Sequence, residues 1–409
     1  MHSRTVSIIG QGYVGLPLAI ELSKAGWTVY GLDTDLSKVA LLKEGQSHIE
    51  DVPDSEIRSA IQNERYVPSS DFSLVTKAEF VVLCVPTPVY PDGTPDLRFL
   101  EAAVKQIAPF LNTGTLLINE STSFPGTVRE YIPQILDSVR GGVSKEILLA
   151  AAPERTDPGN EKYSIRNTPR LIGGLTNVAT ERAIRFYETI CSNVIEVSSP
   201  EVAELAKLLE NTFRQVNIAL MNQLVPLCRS LGVDTREVAE AASSKPYGFM
   251  KFLPGAGVGG HCIPVDPLYL LWKARQIGLD LPFIESADRT NREMPEYVSN
   301  RLIESAELRS GDGVLILGVA YKPGVADVRE SPAHEVGKFL AQQGLRVFWW
   351  DPLVADFSVG NKWDQNESVK GAIVVTAQSG LQVLELVKRG TKVLDCTGAY
   401  KGIQGVSQL

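Results

Sequence analysis

Cysteine is sparse in this chain, five among 409 residues, and the five are widely scattered, odd in number and without a CxxC pair. A disulfide framework and a thiol-based zinc or redox-cycling motif are therefore excluded, no metal site is expected, and a reducing cytoplasm is the expected location. No segment reaches the roughly 18 uninterrupted apolar residues of a membrane span. The apolar stretch Val6–Ile9 begins almost at once, so no secretory signal is expected. Long blocks of lysine or arginine are missing and the formal charge is −8, which argues against nucleic acid or an anionic membrane as principal partner. Tandem repeats and low-complexity tracts are also absent.

What is present is a globular composition on a chain long enough for two or three domains. From residue 4 to about 196, short β-rich runs alternate with helical patterns: Val6–Ile9, Thr28–Leu32, Phe80–Val85, Thr115–Asn119 and Ile147–Ala151. That rhythm predicts a parallel, doubly wound sheet. A long helical pattern follows between about Ser199 and Gly232, and its continuation to about Asn300 is helical apart from a glycine- and proline-rich loop, Lys245–Pro267. A second β/α alternation starts at Gly313–Gly318, passes a helix near Pro332–Gly344, and continues through strands at Arg346–Trp350, Ala372–Thr376 and Lys392–Cys396. It predicts a second, smaller Rossmann-like unit, with the polar segment Phe357–Lys370 as a loose surface insertion.

Gly10-Gln11-Gly12-Tyr13-Val14-Gly15 follows the first strand directly and opens a helix at Leu16–Lys24, the context a dinucleotide loop needs. Gly10 permits the tight turn, Gly12 lets a pyrophosphate approach the backbone, and Gly15 lets helix pack on strand. Asp33, ending the next strand, stands where a carboxylate accepts from an adenosine ribose. A 2′-phosphate would be repelled there, so NAD is the predicted cofactor.

Cys262 lies in Gly259-Gly260-His261-Cys262-Ile263-Pro264, just before a helix predicted over Asp266–Arg275 that would lower the thiol pKa. A hydride acceptor alone takes an alcohol only to a carbonyl. A thiolate can capture that carbonyl and pass on a second hydride as a thioester forms, so the pair points to four-electron oxidation of an alcohol to an acid with two dinucleotides per turnover. His261 reads as structural, because adjacent side chains usually diverge. Lys207 and Asn211 are four apart on one helical face and suit an oxyanion, although taken alone such a pair is more often a solvated face. Glu154 follows a strand end and could bind or activate water; Ser121 and Thr122 follow another and could hold nicotinamide or the same water; Asp266 could cap its helix or hold that water.

With these pieces in order, the chain resembles the UDP-sugar 6-dehydrogenases over essentially its whole length. The resemblance rests on Gly10–Gly15, Val85-Pro86-Thr87-Pro88, Ser121-Thr122, Pro153-Glu154-Arg155, Glu204–Asn211, Gly255–Pro267, Gly318–Pro323 and Asp327–Pro332. It implies an α/β fold of two Rossmann-like doubly wound domains, residues 1–198 for NAD and 301–409 for UDP, joined by a long central helix and a helical dimerisation domain, 199–300. It further implies Cys262 as nucleophile, Lys207 and Asn211 on the oxyanion, and Glu154, Thr122 and Asp266 around the hydrolytic water. Gly10, Gly12, Tyr13, Val14, Gly15, Asp33, Pro86, Thr87, Ser121, Thr122 and Arg329 fall to the dinucleotide. Glu154, Arg155, Lys207, Asn211, Tyr247, Phe249, Gly259 and Lys322 fall to the UDP-sugar, and a homodimer or higher homo-oligomer is implied.

The segments Pro153–Asn160 and Lys245–Met250 look like the N-acetylhexosamine branch, above all the UDP-N-acetylglucosamine enzymes. Glucose-type relatives carry a second acidic residue four positions after the first, where this chain has Pro158, and an arginine before the thiol loop that reaches across the dimer, for which Lys245 is the substitute. UDP-glucose, UDP-N-acetylmannosamine and UDP-N-acetylgalactosamine are the alternative substrates. A two-electron 2-hydroxyacid dehydrogenase, which has no use for Cys262, and a non-catalytic NAD-binding sensor are the rival classes.

Overall fold

The structure, a computed structural model, describes residues 4–49, 51–156 and 162–409. It divides into two compact units, residues 1–210 with 268–277 and residues 211–267 with 278–409. The Asp157-Pro158-Gly159 part of the segment after Glu154 lies outside the described residues.

In the first unit the elements run β1 (Thr5–Ile9), α1 (Gly15–Lys24), β2 (Thr28–Leu32), α2 (Leu36–Lys43), α3 (Asp54–Gln62), β3 (Tyr66–Ser69), β4 (Phe80–Leu83), α4 (Arg98–Ile107), β5 (Leu116–Asn119), α5 (Ile132–Val139), β6 (Leu148–Ala151), β7 (Arg170–Gly174), α6 (Asn177–Tyr187) and β8 (Val194–Glu196). Strand order is β3-β2-β1-β4-β5-β6-β7-β8, parallel throughout except for the antiparallel β6/β7 pair. Val6, Ile8 and Val82 pack into one core, and Ile9, Val81 and Leu83 into another on the opposite face. Burial on both faces explains why these strands read as continuous apolar runs rather than alternating ones. The chain order reverses between β1 and β4, and such sheets bind ligands beyond the strand ends at that point.

Helix α7 (Pro200–Leu231) is followed by α8 (Thr235–Ser243), α9 (Asp266–Gln276) and α10 (Pro282–Ser305). The second unit then forms β9 (Gly313–Leu317), α11 (Pro332–Gln342), β10 (Arg346–Trp350), β11 (Asn361–Lys362), β12 (Gly371–Val374), α12 (Val383–Lys388), β13 (Lys392–Asp395) and β14 (Val406–Gln408). Its all-parallel sheet, β11-β10-β9-β12-β13-β14, repeats the order of the first. The segment Phe357–Lys370 is no loose insertion: Phe357, Trp363 and Val369 are buried, and Asn361 pairs with Phe348 as an edge strand. Its aromatic and aliphatic residues are too few to show a period, yet they anchor it to the core. Among the described residues no helix is long and apolar enough to cross a membrane.

The two sheets share a detail. In the first, the Asp33 carboxylate at the end of β2 accepts from Gln11 N at 2.8 Å, fixing the loop after β1. In the second, Asp351 at the end of β10 accepts from Val319 N at 2.9 Å and Ala320 N at 3.2 Å, fixing the loop after β9. Each loop starts with a positive-φ glycine, Gly10 at +93° and Gly318 at +71°, which a side chain would drive into the neighbouring strand end, at Cys84 O and Thr376 O respectively.

Candidate active site

The dinucleotide loop of the first unit is built as a bare anion cradle. A Cβ on Gly15 would fall 1.9 Å from Gly10 O, so only glycine lets α1 start this close to β1, whereas a Cβ on Gly12 would meet nothing within 4 Å. Helix α1 has no side-chain cap and no acid in its first turn. Its leading N–H groups and positive end therefore suit a pyrophosphate laid over Gly12. Tyr13 is exposed and Val14 half-buried at its mouth. Asp33 also accepts from Asp35 N at 2.9 Å and has Lys38 Nζ at 3.6 Å. Gln11, unremarked in the sequence, is wholly buried: its amide donates to Ile8 O and Gly10 O and accepts from the Tyr66 hydroxyl, so it locks the loop from beneath. These residues fit NAD.

Beyond the ends of β4, β5 and β6, Ser121, Thr122, Glu154 and Arg155 follow the strands, next to a buried ionic cluster. Strand β4 stops at Leu83 rather than Val85, because Val85 N donates to the Ser121 hydroxyl at 2.9 Å. Ser121 thus links two strand ends, next to half-buried Thr122 and ahead of Pro86 and Thr87. Glu154 accepts from Thr156 N and Oγ1 at 2.7 Å each. Arg155 is pinned, donating to Pro169 O at 2.8 Å and pairing with Glu210.

Behind Glu154, Arg170 at the start of β7 donates to Ala152 O at 3.2 Å and sits 3.3 Å from Glu120 Oε2 and 3.7 Å from Glu154 Oε1. Its guanidinium lies over the Tyr187 ring, whose hydroxyl donates to Glu120. Burial pushes the Glu120 carboxyl up against the opposing pull of Arg170. A cavity of about 380 Å³ is lined by Tyr13, Glu120, Glu154, Arg166 and Arg170 among others. None of Glu120, Arg170 or Tyr187 carries a sequence signal, since lone charges default to solvated surface.

On α7, Lys207 is buried and, among the described residues, forms no ion pair. One turn earlier Glu204, another residue that sequence reasoning missed, accepts from Gly126 N at 2.7 Å and Val128 N at 3.0 Å. Burial pushes its carboxyl up to about 8 despite those two donors.

The second unit holds the thiol. Of the five cysteines Cys262 alone is not buried. Its carbonyl accepts from Val265 N and Asp266 N, so it opens the turn leading into α9. The Asn211 amide donates to the buried Asp266 carboxylate. The loop is tethered through Gly255 N, which donates to Asn222 Oδ1 at 3.0 Å. Its glycines are close-fitted: a Cβ on Gly259 would lie 2.9 Å from the Pro332 ring and 3.0 Å from Tyr321 Cβ, and Gly260, at φ +88°, faces the Tyr321 ring at 3.0 Å. The Gly-Gly-His-Cys and Val-Ala-Tyr-Lys-Pro motifs are thereby packed together. His261 does not diverge from its neighbour: the chain bends at both residues on entering the turn before α9, and His261 Nδ1 lies 3.1 Å from Cys262 Sγ. Lys322 Nζ lies 5.8 Å from the Tyr321 ring centroid. Arg329 is clamped on Asp327 at 2.6 Å; burial raises the Asp327 carboxyl, and the hydrogen bond from Arg329 outweighs it to leave the group below its usual range. Tyr247 and Phe249 are exposed on the loop, with Lys245 Nζ 5.5 Å from the Tyr247 ring.

Family models match in the same chain order: the NAD binding domain of the UDP-glucose/GDP-mannose dehydrogenase family over residues 4–191, its central domain over 201–293 and its UDP binding domain over 315–401. The chain belongs to the UDP-glucose/GDP-mannose dehydrogenase family. It is an NAD-dependent nucleotide-sugar dehydrogenase, and membership in an enzymatic family sets the non-catalytic sensor aside. It is 36% identical to UDP-N-acetyl-D-glucosamine 6-dehydrogenase of Salmonella typhi over 356 residues, 85% of this chain and 82% of the relative. It is 33% identical to UDP-N-acetyl-D-mannosamine dehydrogenase of Methanocaldococcus jannaschii over 380 residues, 91% and 84% of the two chains. The solved UDP-D-ManNAc dehydrogenase of Pyrococcus horikoshii superposes with a TM-score of 0.89 at 28% identity, covering 99% of this chain and 98% of that one.

Proposed function

We propose that this enzyme oxidises the C6 alcohol of a UDP-N-acetylhexosamine, UDP-N-acetylglucosamine first among them, to the uronic acid through a covalent Cys262 intermediate. The observation that carries the reading is Cys262 itself, the one cysteine left accessible, in a loop whose glycines are fitted to hold it. NAD, when bound, accepts a hydride in each of the two oxidations. The Cys262 sulfur adds to the C6 aldehyde carbon, and the carbonyl electrons move to oxygen. Lys207, a buried cation that pairs with no carboxylate among the described residues, and the Asn211 amide stabilise that oxyanion. Loss of the second hydride leaves a thioester, and Glu154, Thr122 and Asp266 hold the water that releases the acid. A two-electron hydroxyacid oxidation would leave Cys262 without a role.

Lys322 and Arg155 are assigned to the UDP-sugar with Tyr247, Phe249 and Gly259, and Arg329 to the dinucleotide pyrophosphate. Three domains, 1–198, 199–300 and 301–409, a dimer built on the central helices with Lys245 reaching across it, and a cytoplasmic location complete the proposal. The acetamido sugar is favoured by Lys245–Met250 and by the relatives named for both acetamido substrates. UDP-N-acetylmannosamine is the second reading, because one of those relatives acts on it. The test incubates the purified protein and NAD separately with UDP-N-acetylglucosamine, UDP-N-acetylmannosamine, UDP-N-acetylgalactosamine and UDP-glucose. Two NADH per UDP-N-acetylglucosamine oxidised is expected; one NADH with a stable aldehyde would refute the thioester step, and preference for another sugar would move the substrate.

A further inference from the structure

We propose that His261 is the proton acceptor for the Cys262 thiol, so that the resting nucleophile is a thiolate–imidazolium pair formed by consecutive residues. The proposal rests on the reading of Cys262 as nucleophile. On an extended chain neighbouring side chains point apart. Here the chain bends at His261 and Cys262 into the turn closed by Val265 N and Asp266 N on Cys262 O, and His261 Nδ1 lies 3.1 Å from Cys262 Sγ. The loop that carries the pair is packed on the segment after β9, where the Tyr321 ring fills the space a side chain at Gly260 would need. Accepting a proton at Nδ1 requires the neutral ring to carry its hydrogen on Nε2.

The Asp327 carboxylate, held by Arg329, feels the charge of His261. The other titratable groups of the packed segment are Tyr321, Lys322 and Glu330, and Asp266, bonded to Asn211, stands four residues beyond Cys262. The pair is regenerated in each turnover and takes up no net proton, so the protons of the alcohol and of the attacking water leave through the groups that hold them. The thiol proton passes to His261 Nδ1, the sulfur lone pair forms the S–C bond to the aldehyde, and the carbonyl electrons go to oxygen. After the second hydride has left, water attacks the thioester carbon, the S–C bond breaks, and the sulfur departs as a thiolate already paired with the imidazolium.

The test reads the thiol without any sugar. The full-length wild type, His261→Asn and Cys262→Ser are treated with iodoacetamide from pH 5 to pH 10, and alkylation at residue 262 is followed by mass spectrometry; the other four cysteines are buried and give the background. An ordinary thiol titrates near 8.5 and a histidine-paired one well below it. The wild-type profile is expected to have its midpoint about two pH units below that of His261→Asn. The midpoint decides rather than the rate, because a thiolate of lower pKa is intrinsically less nucleophilic and offsets much of the gain at neutral pH. Coincident profiles overturn the proposal, as does a wild-type midpoint near 8.5, which needs no folded variant. A shifted profile in a protein that oxidises no UDP-sugar leaves the pair standing and removes the oxidation; normal two-step oxidation with an unshifted profile does the reverse.

Discussion

Replacing Arg170 with methionine isolates the ionic cluster behind Glu154. The Arg170 and Glu120 side chains are 3% and 0% exposed and 3.3 Å apart. At an effective dielectric of about 20 their attraction is roughly 5 kcal/mol. Methionine keeps much of the volume and leaves Glu120 buried with only the Tyr187 hydroxyl. A glutamate stranded in this way escapes by taking a proton, which limits the charge penalty to the cost of protonation. From an ordinary value near 4.3 to pH 7 that is about 2.7 units at about 1.4 kcal/mol each, or about 4 kcal/mol. The expected loss at pH 7 is therefore up to about 4 kcal/mol, less by whatever burial already raises the Glu120 carboxyl in the wild type. With its folded pKa raised, Glu120 costs the variant nothing below about pH 4 and progressively more as pH rises, so at pH 5 the charge penalty shrinks to about 1 kcal/mol. Urea unfolding at both pH values measures this, with hydrogen exchange of peptides 115–125 and 147–156 assigning the transition to the first sheet. A loss below about 1 kcal/mol at pH 7, or an equal loss at the two pH values, would refute the argument. Arg170→Met with Glu120→Gln should recover most of the stability; a double variant as weak as the summed singles would show that the two residues act independently.

Cys262→Ser should abolish formation of the acid while leaving NAD affinity unchanged, read by product analysis and a binding titration; near-normal acid production would remove the thiol from the reaction. Glu204, pushed up to about 8 by burial, stays protonated in the folded state over a range where the unfolded chain ionises. Its contribution is complete below about pH 4.5 and is lost as pH rises towards 8, with a slope of at most about 1.4 kcal/mol per unit. Glu204→Gln should flatten that part of the stability–pH curve, at a cost of about 1–3 kcal/mol from the Gly126 or Val128 N–H left without an acceptor. An unchanged slope by thermal unfolding across this range would place the proton elsewhere.

Sequence alone made the backbone requirements legible and the tertiary pairings illegible. Gly10 and Gly15 announce a turn and a close helix because no side chain fits there, Gly12 leaves the approach open, and the predicted start of α9 at Asp266 is where the helix begins. Strands β3, β7 and β8 escaped notice for physical reasons. Pro68 interrupts β3, and Gly173 and Gly174 dilute β7 because the chain at Ser199 and Thr180 approaches too closely for side chains. The Glu120–Arg170 and Glu204–Gly126 contacts join residues tens of positions apart whose types give no hint of burial. The side chains of His261 and Cys262 meet, against expectation, because the rule for adjacent side chains holds on regular backbone and the chain bends at both residues.

The matched carboxylates Asp33 and Asp351 give this molecule a built-in comparison. Amidation at either position perturbs the same kind of scaffold, an acid gripping main-chain donors of a glycine turn, yet only the first turn runs directly into a helix; the second is separated from α11 by residues 319–331. Whatever damage the two substitutions share measures upkeep of the turn. Whatever loss of NAD affinity only the Asp33 variant suffers tests the expected contact of this carboxylate with the ribose, so each half of the chain calibrates the other.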